Sequence, residues 1–200
     1  MKQLLLALAV LTLVCPVPLI QYYCGYGGDY CGQSTTDDTH TSASIIVLAF
    51  ADINTDGTVV VDEPNHPTAL VTKWQSQGKK VLLSIGGANA MWAYLFATST
   101  SMQLGTTSIA NLVSKFNFDG IDLDIEYYNT DPTIVASWIH TLKAAIGGKY
   151  LTIAPECVGV YTGSTYTPGA WNSWNYWVPI INTTIADIDL VMVQAYNNWY

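Results

Sequence analysis

Strand-like apolar runs alternate with helical patterns from Ser44 onward, and this alternation restricts the fold more than any other feature of the chain. Such an order is typical of an α/β fold, in which parallel strands are joined by crossover helices. The predicted strands span residues 18–23, 44–50, 80–85, 118–126, 150–155 and 188–196. The last five are spaced by roughly 30 to 40 residues, about the length of one strand-helix unit.

Helical patterns lie between the predicted strands. Asp131 and Pro132 supply a cap and a first-turn proline for a helix that ends at Gly147 and has one apolar face. Residues 109–116 and 68–77 predict two more helices. Three tryptophans at positions 171, 174 and 177 fit either a helix face or an aromatic loop.

Unit length and chain length together predict a (β/α)8 TIM barrel that is truncated after about six units. A closed barrel needs about 250 residues, whereas this chain has 200. Strands seven and eight would then be missing, which leaves the edges of the first and sixth strands unpaired. We therefore expect this chain alone to be unstable, aggregating or inactive.

Composition and charge exclude two broad classes. Half of the residues are hydrophobic and 11% are charged, so the chain folds rather than remaining disordered. Seven basic residues against 15 acidic ones give a net charge of -8, which opposes binding to phosphate backbones and anionic membranes. We expect neither nucleic acid nor a membrane as a partner.

The first residues have the pattern of a secretory signal. Lys2 precedes an apolar run of 11 residues, Leu4 to Val14, which is too short to span a bilayer. We predict a signal peptide over residues 1–16, with the cleavage site left open, and a secreted protein. A buried N-terminal strand is the alternative, and the two can share the segment.

The cysteines lie at positions 15, 24, 31 and 157 and lack the spacing of a zinc or redox site. If Cys15 leaves with the signal, Cys24 and Cys31 can close a small loop, and Cys157 is then the odd one. The alternative is buried thiols. No metal and no cofactor are predicted.

Residues 118–126 read FDGIDLDIE and carry the strongest functional signal. Side chains on a strand alternate between faces, so Asp122, Asp124 and Glu126 point one way and the aliphatic residues between them the other. In a barrel, the aliphatic face packs on helices and the three carboxylates point inward. Repulsion and partial desolvation raise the pKa of at least one of them, which gives a protonated acid beside an ionised neighbour near neutral pH.

Glu126 comes last, at the carboxyl end of the predicted strand, where such barrels place their chemistry. Two structural interpretations compete with a catalytic one. Salt bridges are disfavoured because the chain has 7 basic residues, of which Lys115 alone lies within ten residues of the segment. Magnesium coordination fits the residue types, and spacing and context decide between it and acid catalysis.

Three motifs resemble those of glycoside hydrolase family 18, the chitinases and their relatives. The run from Asp119 to Glu126 is similar to the DGxDxDxE motif of that family. Ser84-Ile85-Gly86-Gly87 resembles its SxGG motif on the third barrel strand, and Gln194-Ala195-Tyr196-Asn197 resembles its QxYN motif on the sixth. The resemblance implies that residues 17–200 form an incomplete catalytic barrel.

What this resemblance implies is chitinase-like, substrate-assisted and retaining hydrolysis of β-1,4-linked N-acetylglucosamine polymers. Glu126 would act as general acid and later as base, while the sugar's own 2-acetamido oxygen attacks the anomeric carbon. Asp124 would orient that acetamido group and offset its developing positive charge. Asp122 would share a proton with Asp124, and Tyr196 would donate its hydroxyl to the acetamido oxygen.

The remaining motif residues are predicted to bind substrate or to support the site. Ser84 is expected to hydrogen-bond beneath the acidic cluster, and glycines let the backbone bend close to the sugar. Gln194 shares a strand face with Tyr196, which suits both side chains pointing into the barrel mouth. The predicted substrate-binding residues are Gln194, Asn197, Ser84, Gly86 and Gly87.

Related functions stay open. An endo-β-N-acetylglucosaminidase acting on N-glycans has the same acidic motif and mechanism, and a non-catalytic chitin-binding relative is a second alternative. The presence of Asp124, Glu126 and Tyr196 favours an enzyme. A metal-dependent barrel enzyme would be identified by its sensitivity to chelators. We expect chitin or N-acetylglucosamine oligosaccharides as the binding partner, and a monomer.

Overall fold

In the part of the chain that the structure describes, six parallel strands form one sheet, in the order in which they occur along the chain. The structure, a computed structural model, describes residues 17–24, 42–61, 68–160 and 175–196. The sheet order is β1-β2-β4-β5-β6-β7, and the short β3 pairs antiparallel with β2. The strands are β1 (Ile20–Cys24), β2 (Ile45–Ile53), β3 (Val59–Val60), β4 (Lys80–Gly86), β5 (Gly120–Asp124), β6 (Tyr150–Ile153) and β7 (Leu190–Val191).

Helices lie between the successive parallel strands from β2 to β7, which confirms the predicted α/β fold. They are α1 (Thr68–Ser76), α2 (Trp92–Leu95), α3 (Ser99–Phe116), α4 (Pro132–Ala145) and α5 (Trp177–Thr184), with a 3-10 helix at Cys157–Val160. Helix α4 begins as predicted: the Asp131 side chain accepts a hydrogen bond from the Thr133 amide, and Pro132 occupies the first turn. Among the described helices, none is both long and apolar enough to cross a membrane.

The hydrophobic core lies in two layers, one on each face of the sheet. The larger layer fills the space between sheet and helices and includes Ile121, Leu123 and Ile125 of the acidic segment. The smaller layer, on the inner face, consists of Ile45, Val47 and Leu82 with partly buried residues packed against them. The aliphatic residues of the acidic segment therefore face the helices, as predicted, and the carboxylates face inward.

Two aspartates fix the strand register at the amino end of the sheet. The Asp119 amide donates to the Val81 carbonyl at 2.8 Å, and its carboxylate accepts from the Val81 amide at 3.0 Å. Asp189 makes the same pair of contacts with Leu151, both at 2.8 Å. Asp119, the first residue of the acidic motif, thus has a structural contact far from the carboxyl end of β5.

Several predicted elements differ in length from those in the structure. The predicted strand 118–126 is shorter, because β5 ends at Asp124 and Glu126 lies beyond it. The predicted strand 188–196 contains β7 and a separate parallel bridge between Glu156 and Gln194. Of the three spaced tryptophans, Trp177 begins α5, and the other two lie outside the described residues.

Residues near the N-terminus are described only in part. The predicted signal peptide at residues 1–16 lies outside the described ranges, and so does Cys31. Cys24, at the end of β1, takes part in a disulfide bond. The proposed loop between the two cysteines stays a prediction.

Candidate active site

Parallel register places three polar side chains side by side on the inner face of the sheet. Ser84 of β4 pairs with Asp122 of β5, which pairs in turn with Thr152 of β6. In-register residues of parallel strands project from the same face. Accordingly the Ser84 hydroxyl donates to Oδ2 of Asp122 at 2.8 Å, and the Thr152 hydroxyl donates to Oδ1 at 2.7 Å.

A third hydroxyl that contacts Asp122 comes from β1, the strand at one edge of the sheet. Tyr22 of β1 donates to Oδ2 of Asp122 at 2.9 Å. Two strands separate β1 from β5 in the sheet, so a flat sheet would hold the two strands about 14 Å apart. The direct contact therefore requires the sheet to curl, and it brings the first strand to the acidic residues.

Asp122 is fully buried, and burial raises the pKa of its carboxyl above the ordinary value. The three donated hydrogen bonds act in the opposite direction, because they favour the ionised form. Burial and the nearby Asp122 charge raise the pKa of Tyr22 in turn, so its hydroxyl keeps its proton and remains a donor.

Asp124 lies one step further along the same face, next to Gly86 of β4. It is 5% exposed, and Gln194 donates from its amide nitrogen to Oδ1 of Asp124 at 2.7 Å. Burial, followed by the negative charges of Glu126, Asp122 and Glu156, raises the pKa of Asp124 to about 8. At neutral pH this carboxyl therefore holds a proton.

The backbone around Asp124 is equally confined. Its carbonyl oxygen accepts a hydrogen bond from the Gly87 amide at 3.2 Å and another from the indole nitrogen of Trp92 at 3.2 Å. Gly86 and Gly87 have positive φ angles of 131° and 83°, a region that side-chain-bearing residues rarely adopt. The two glycines of the SxGG motif thus bring the end of β4 against Asp124.

Glu126 is half-buried and lies just beyond β5. Burial, followed by the charge of Glu156, raises the pKa of Glu126, and hydrogen bonding from Gln194 opposes that shift. Glu156 lies in the segment after β6, where its carboxylate accepts a hydrogen bond from the Tyr128 hydroxyl at 2.5 Å. Four carboxyl groups are thus gathered at this end of the sheet.

A cavity of about 500 Å³ opens above these groups. Asp124, Gln194 and Tyr196 line it, together with residues of β1 and β2 and of the segments that follow β6 and β7. Tyr196 is 64% exposed, and partial burial followed by the charges of Asp124 and Glu126 raises the pKa of its phenol. The cavity thus presents a protonated carboxyl, an amide and a phenol to a bound molecule.

The structure brings together most of the residues that the sequence predicted for the site. Exposure increases along the chain from buried Asp122 through Asp124 to half-buried Glu126, Ser84 lies beneath them, and Gln194 contacts Asp124. Asn197 lies outside the described residues. Within the described ranges, no group of three or more His, Cys, Asp or Glu residues is arranged to hold a metal ion.

Sequence reasoning missed four residues of this cluster. Tyr22 and Thr152 donate to Asp122, while Glu156 and Tyr128 form a pair beside Glu126. The sequence could have identified Thr152. It lies two residues after the start of β6, as Asp122 lies two residues after the start of β5, so the two are neighbours in a parallel sheet. The other three depend on the curl of the sheet and on loops, which the pattern did not predict.

Comparison with known proteins connects this geometry to a family. The sequence model described as glycosyl hydrolases family 18 matches residues 19–199. The chain is 34% identical to chitinase D of Niallia circulans over 62% of this chain and 26% of that protein. It is 28% identical to exochitinase 1 of Streptomyces olivaceoviridis over 92% of this chain and 36% of that protein.

A solved structure has the same fold. The crystal structure of a family GH18 chitinase from Chromobacterium violaceum superposes with a TM-score of 0.73 and 29% identity. The superposition covers 90% of this chain and 50% of that one. The chain thus spans about a quarter to a half of the length of these three proteins.

Proposed function

Because the chain belongs to family 18 of the glycosyl hydrolases, we propose that it serves in chitinase-like hydrolysis of β-1,4-linked N-acetylglucosamine polymers. Chitin and its oligosaccharides are then its substrates. Proteins named as chitinases are among its relatives, including one that matches over 92% of this chain. The proposed reaction is retaining and substrate-assisted, with no covalent bond from the protein to the sugar.

One observation carries this proposal: Asp124, with its pKa raised to about 8, lines the cavity, and buried Asp122 and half-buried Glu126 flank it along the chain. A protonated Asp124 can donate a hydrogen bond to the acetamido group of a bound sugar and orient its carbonyl oxygen. When positive charge develops on that group, transfer of the proton toward Asp122 leaves Asp124 negative beside it. The three hydroxyls on Asp122 assist the reverse transfer, because they stabilise its ionised form.

Glu126 is proposed as the group that protonates the glycosidic oxygen. Its raised pKa favours the protonated form that a general acid requires near neutral pH. After the leaving sugar departs, the same carboxylate takes a proton from a water molecule. The water oxygen then bonds to the anomeric carbon, the bond from the acetamido oxygen breaks, and the oxazolinium-like intermediate opens. Tyr196 lines the cavity beside Asp124, a position suited to donating its hydroxyl to the acetamido oxygen.

The direct test replaces the proposed acid with an amide of the same size. Glu126→Gln, in protein expressed from the full gene, should lose release of N-acetylglucosamine oligomers by about a thousandfold or more. Binding of chitotetraose, measured by calorimetry, should be retained because the cavity is unchanged. Asp187→Asn is the matched control, since it removes a partly buried carboxylate that pairs with His140, away from the acidic motif. Unchanged turnover in Glu126→Gln would remove the assignment.

Product stereochemistry and chelation test the mechanism. The first sugar released should have the β configuration by NMR before mutarotation, as a retaining reaction requires. Turnover should persist in EDTA, and its loss would favour the metal-dependent alternative instead. Release of intact N-glycans in preference to chitooligosaccharides would favour the endo-β-N-acetylglucosaminidase function.

We also propose that the protein is secreted and that residues 1–16 act as its signal peptide. The apolar run behind Lys2 supports this proposal. The N-terminal sequence of the protein recovered from the medium tests it. A start at Met1 in an intracellular fraction would contradict it.

A further inference from the structure

The function proposed above leaves one carboxylate of the site unused. Glu156 follows β6, and its Oε2 accepts a hydrogen bond of 2.5 Å from the hydroxyl of Tyr128. The ring of Tyr128 packs edge-on against Tyr176, with ring centroids 5.1 Å apart. Tyr176 is itself fixed, because its hydroxyl donates to the Thr130 carbonyl at 2.9 Å. Packing of half-buried Tyr128 against buried Tyr176 therefore fixes the position of the donor to Glu156.

The backbone of Glu156 is fixed as firmly as its side chain. It forms a parallel bridge with Gln194, in which the Gln194 amide donates to the Pro155 carbonyl at 2.9 Å. The Cys157 amide returns a hydrogen bond to the Gln194 carbonyl at 3.3 Å. Since the Gln194 side chain contacts Asp124, one bridge ties Glu156 to the acidic motif.

Several titratable groups face this part of the site. Asp122 and Asp124 approach from β5, Tyr128 from the loop after it, Tyr22 from β1, and Tyr196 from the segment after β7. After burial, the charge of Glu156 raises the pKa of Glu126. The same charge also contributes to the raised pKa of Asp124, after burial and the charges of Glu126 and Asp122. A negative charge nearby makes loss of a proton from a neighbouring carboxyl less favourable.

We infer that Glu156 is a positioning residue of the site: held by the Tyr128 hydroxyl, its carboxylate keeps the proton on Glu126 and so sets the upper pH limit of turnover. The hydrogen bond from Tyr128 holds the Glu156 carboxylate in place beside the acidic motif. This inference rests on the proposed role of Glu126 as general acid. Glu156 acts through Glu126 and is not required to touch the sugar.

A titration of Glu126 tests the inference without any turnover. The carboxyl carbon of Glu126 is followed by NMR in protein labelled at glutamate, and its signal is identified by its absence in Glu126→Gln. In Glu156→Gln, the pKa of Glu126 should fall by about one unit, the size of shift that one nearby charge produces. Tyr128→Phe should move it in the same direction by less. An unchanged Glu126 titration in both variants would overturn the inference.

Asp187→Asn is the control for charge. It removes one carboxylate, as Glu156→Gln does. Asp187 precedes β7 and contacts His140, whereas Glu156 pairs with Gln194, which follows β7. Asp187→Asn should leave the titration of Glu126 unchanged. A shift of equal size in this variant would assign the effect to net charge and would also overturn the inference.

The pH dependence of turnover separates this inference from the proposed function. In Glu156→Gln, the alkaline limb of kcat/KM on a chitooligosaccharide should move to lower pH by about as much as the Glu126 pKa. Loss of turnover at every pH with an unchanged Glu126 titration would assign Glu156 to substrate contact and reject the inference. If Glu156→Gln shows the titration shift but the wild-type protein hydrolyses no chitooligosaccharide, the proposed function is rejected and the coupling of the two glutamates still stands.

Discussion

A Cβ atom added to Gly86 would lie 2.0 Å from the carbonyl oxygen of Asp124. The two residues are neighbours in the register of β4 and β5, and Gly86 has a φ of 131°. The last glycine of β4 thus permits the close approach that holds the Asp124 backbone in place. The SxGG motif and the acidic motif are therefore one structural unit, although about 30 residues lie between them in sequence.

Gly86→Ala should destabilise the fold strongly, because the clash is with backbone and the φ angle is unfavourable for alanine. We expect a loss of about 3 kcal/mol or more in the free energy of unfolding, measured by urea denaturation. Gly147→Ala is the control, because Gly147 also has a positive φ, 58°, but has nothing within 4 Å of an added Cβ. It should cost about 1 kcal/mol, and equal losses in the two variants would contradict the role of the close approach.

Thr152→Val should weaken the site while preserving its shape, because it removes the hydroxyl that donates to Asp122 at 2.7 Å. Loss of a donor to the ionised form raises the pKa of Asp122 further, so a proton received from Asp124 is held more tightly and its return to Asp124 becomes less favourable. We expect kcat to fall about tenfold, equivalent to about 1.4 kcal/mol, in assays with a chitooligosaccharide.

The control for that variant is Thr141→Val. The Thr141 side chain is exposed on α4, and its hydroxyl donates to the Ser137 carbonyl of the same helix. It should leave kcat unchanged. A normal kcat in Thr152→Val would show that the other two hydroxyls suffice to hold Asp122.

Local patterns were enough to predict much of the fold. Alternating apolar runs predicted the parallel strands, and Asp131-Pro132 predicted the start of α4. The three motifs predicted family membership, which the match over residues 19–199 confirms. Each of these signals is carried by residues close together in sequence.

Contacts between distant segments were harder to predict. Tyr22 reaches Asp122 across 100 positions of sequence, and only the curl of the sheet brings the two together. Glu156 reads in sequence as a polar residue after a strand, and its pairing with Tyr128 depends on two separate loops. The short helix α2 was also missed, since it has 4 residues and no side-chain cap.

Asp124→Asn should make the protein more stable at pH 8 than the wild type. The unfolded carboxyl ionises near its ordinary pKa of about 3.9, whereas the folded one has its pKa raised to about 8. Between these values the unfolded state releases a proton that the folded state keeps, so rising pH favours unfolding of the wild type. The asparagine variant lacks this titration, and its side-chain oxygen can still accept the hydrogen bond from Gln194.

The expected signature is a stability difference that depends on pH. The free energy of unfolding of each protein is measured by urea denaturation. The value for the variant minus that for the wild type should increase by at most about 1.4 kcal/mol per pH unit between pH 4 and pH 8. The gain should level off above pH 8, where Asp124 is ionised in both states. Asp131→Asn is the control, because Asp131 is exposed, its pKa is lowered by hydrogen bonds from Thr133, and asparagine also caps a helix. A pH-independent difference for Asp124→Asn would mean that Asp124 is already ionised in the folded protein at neutral pH.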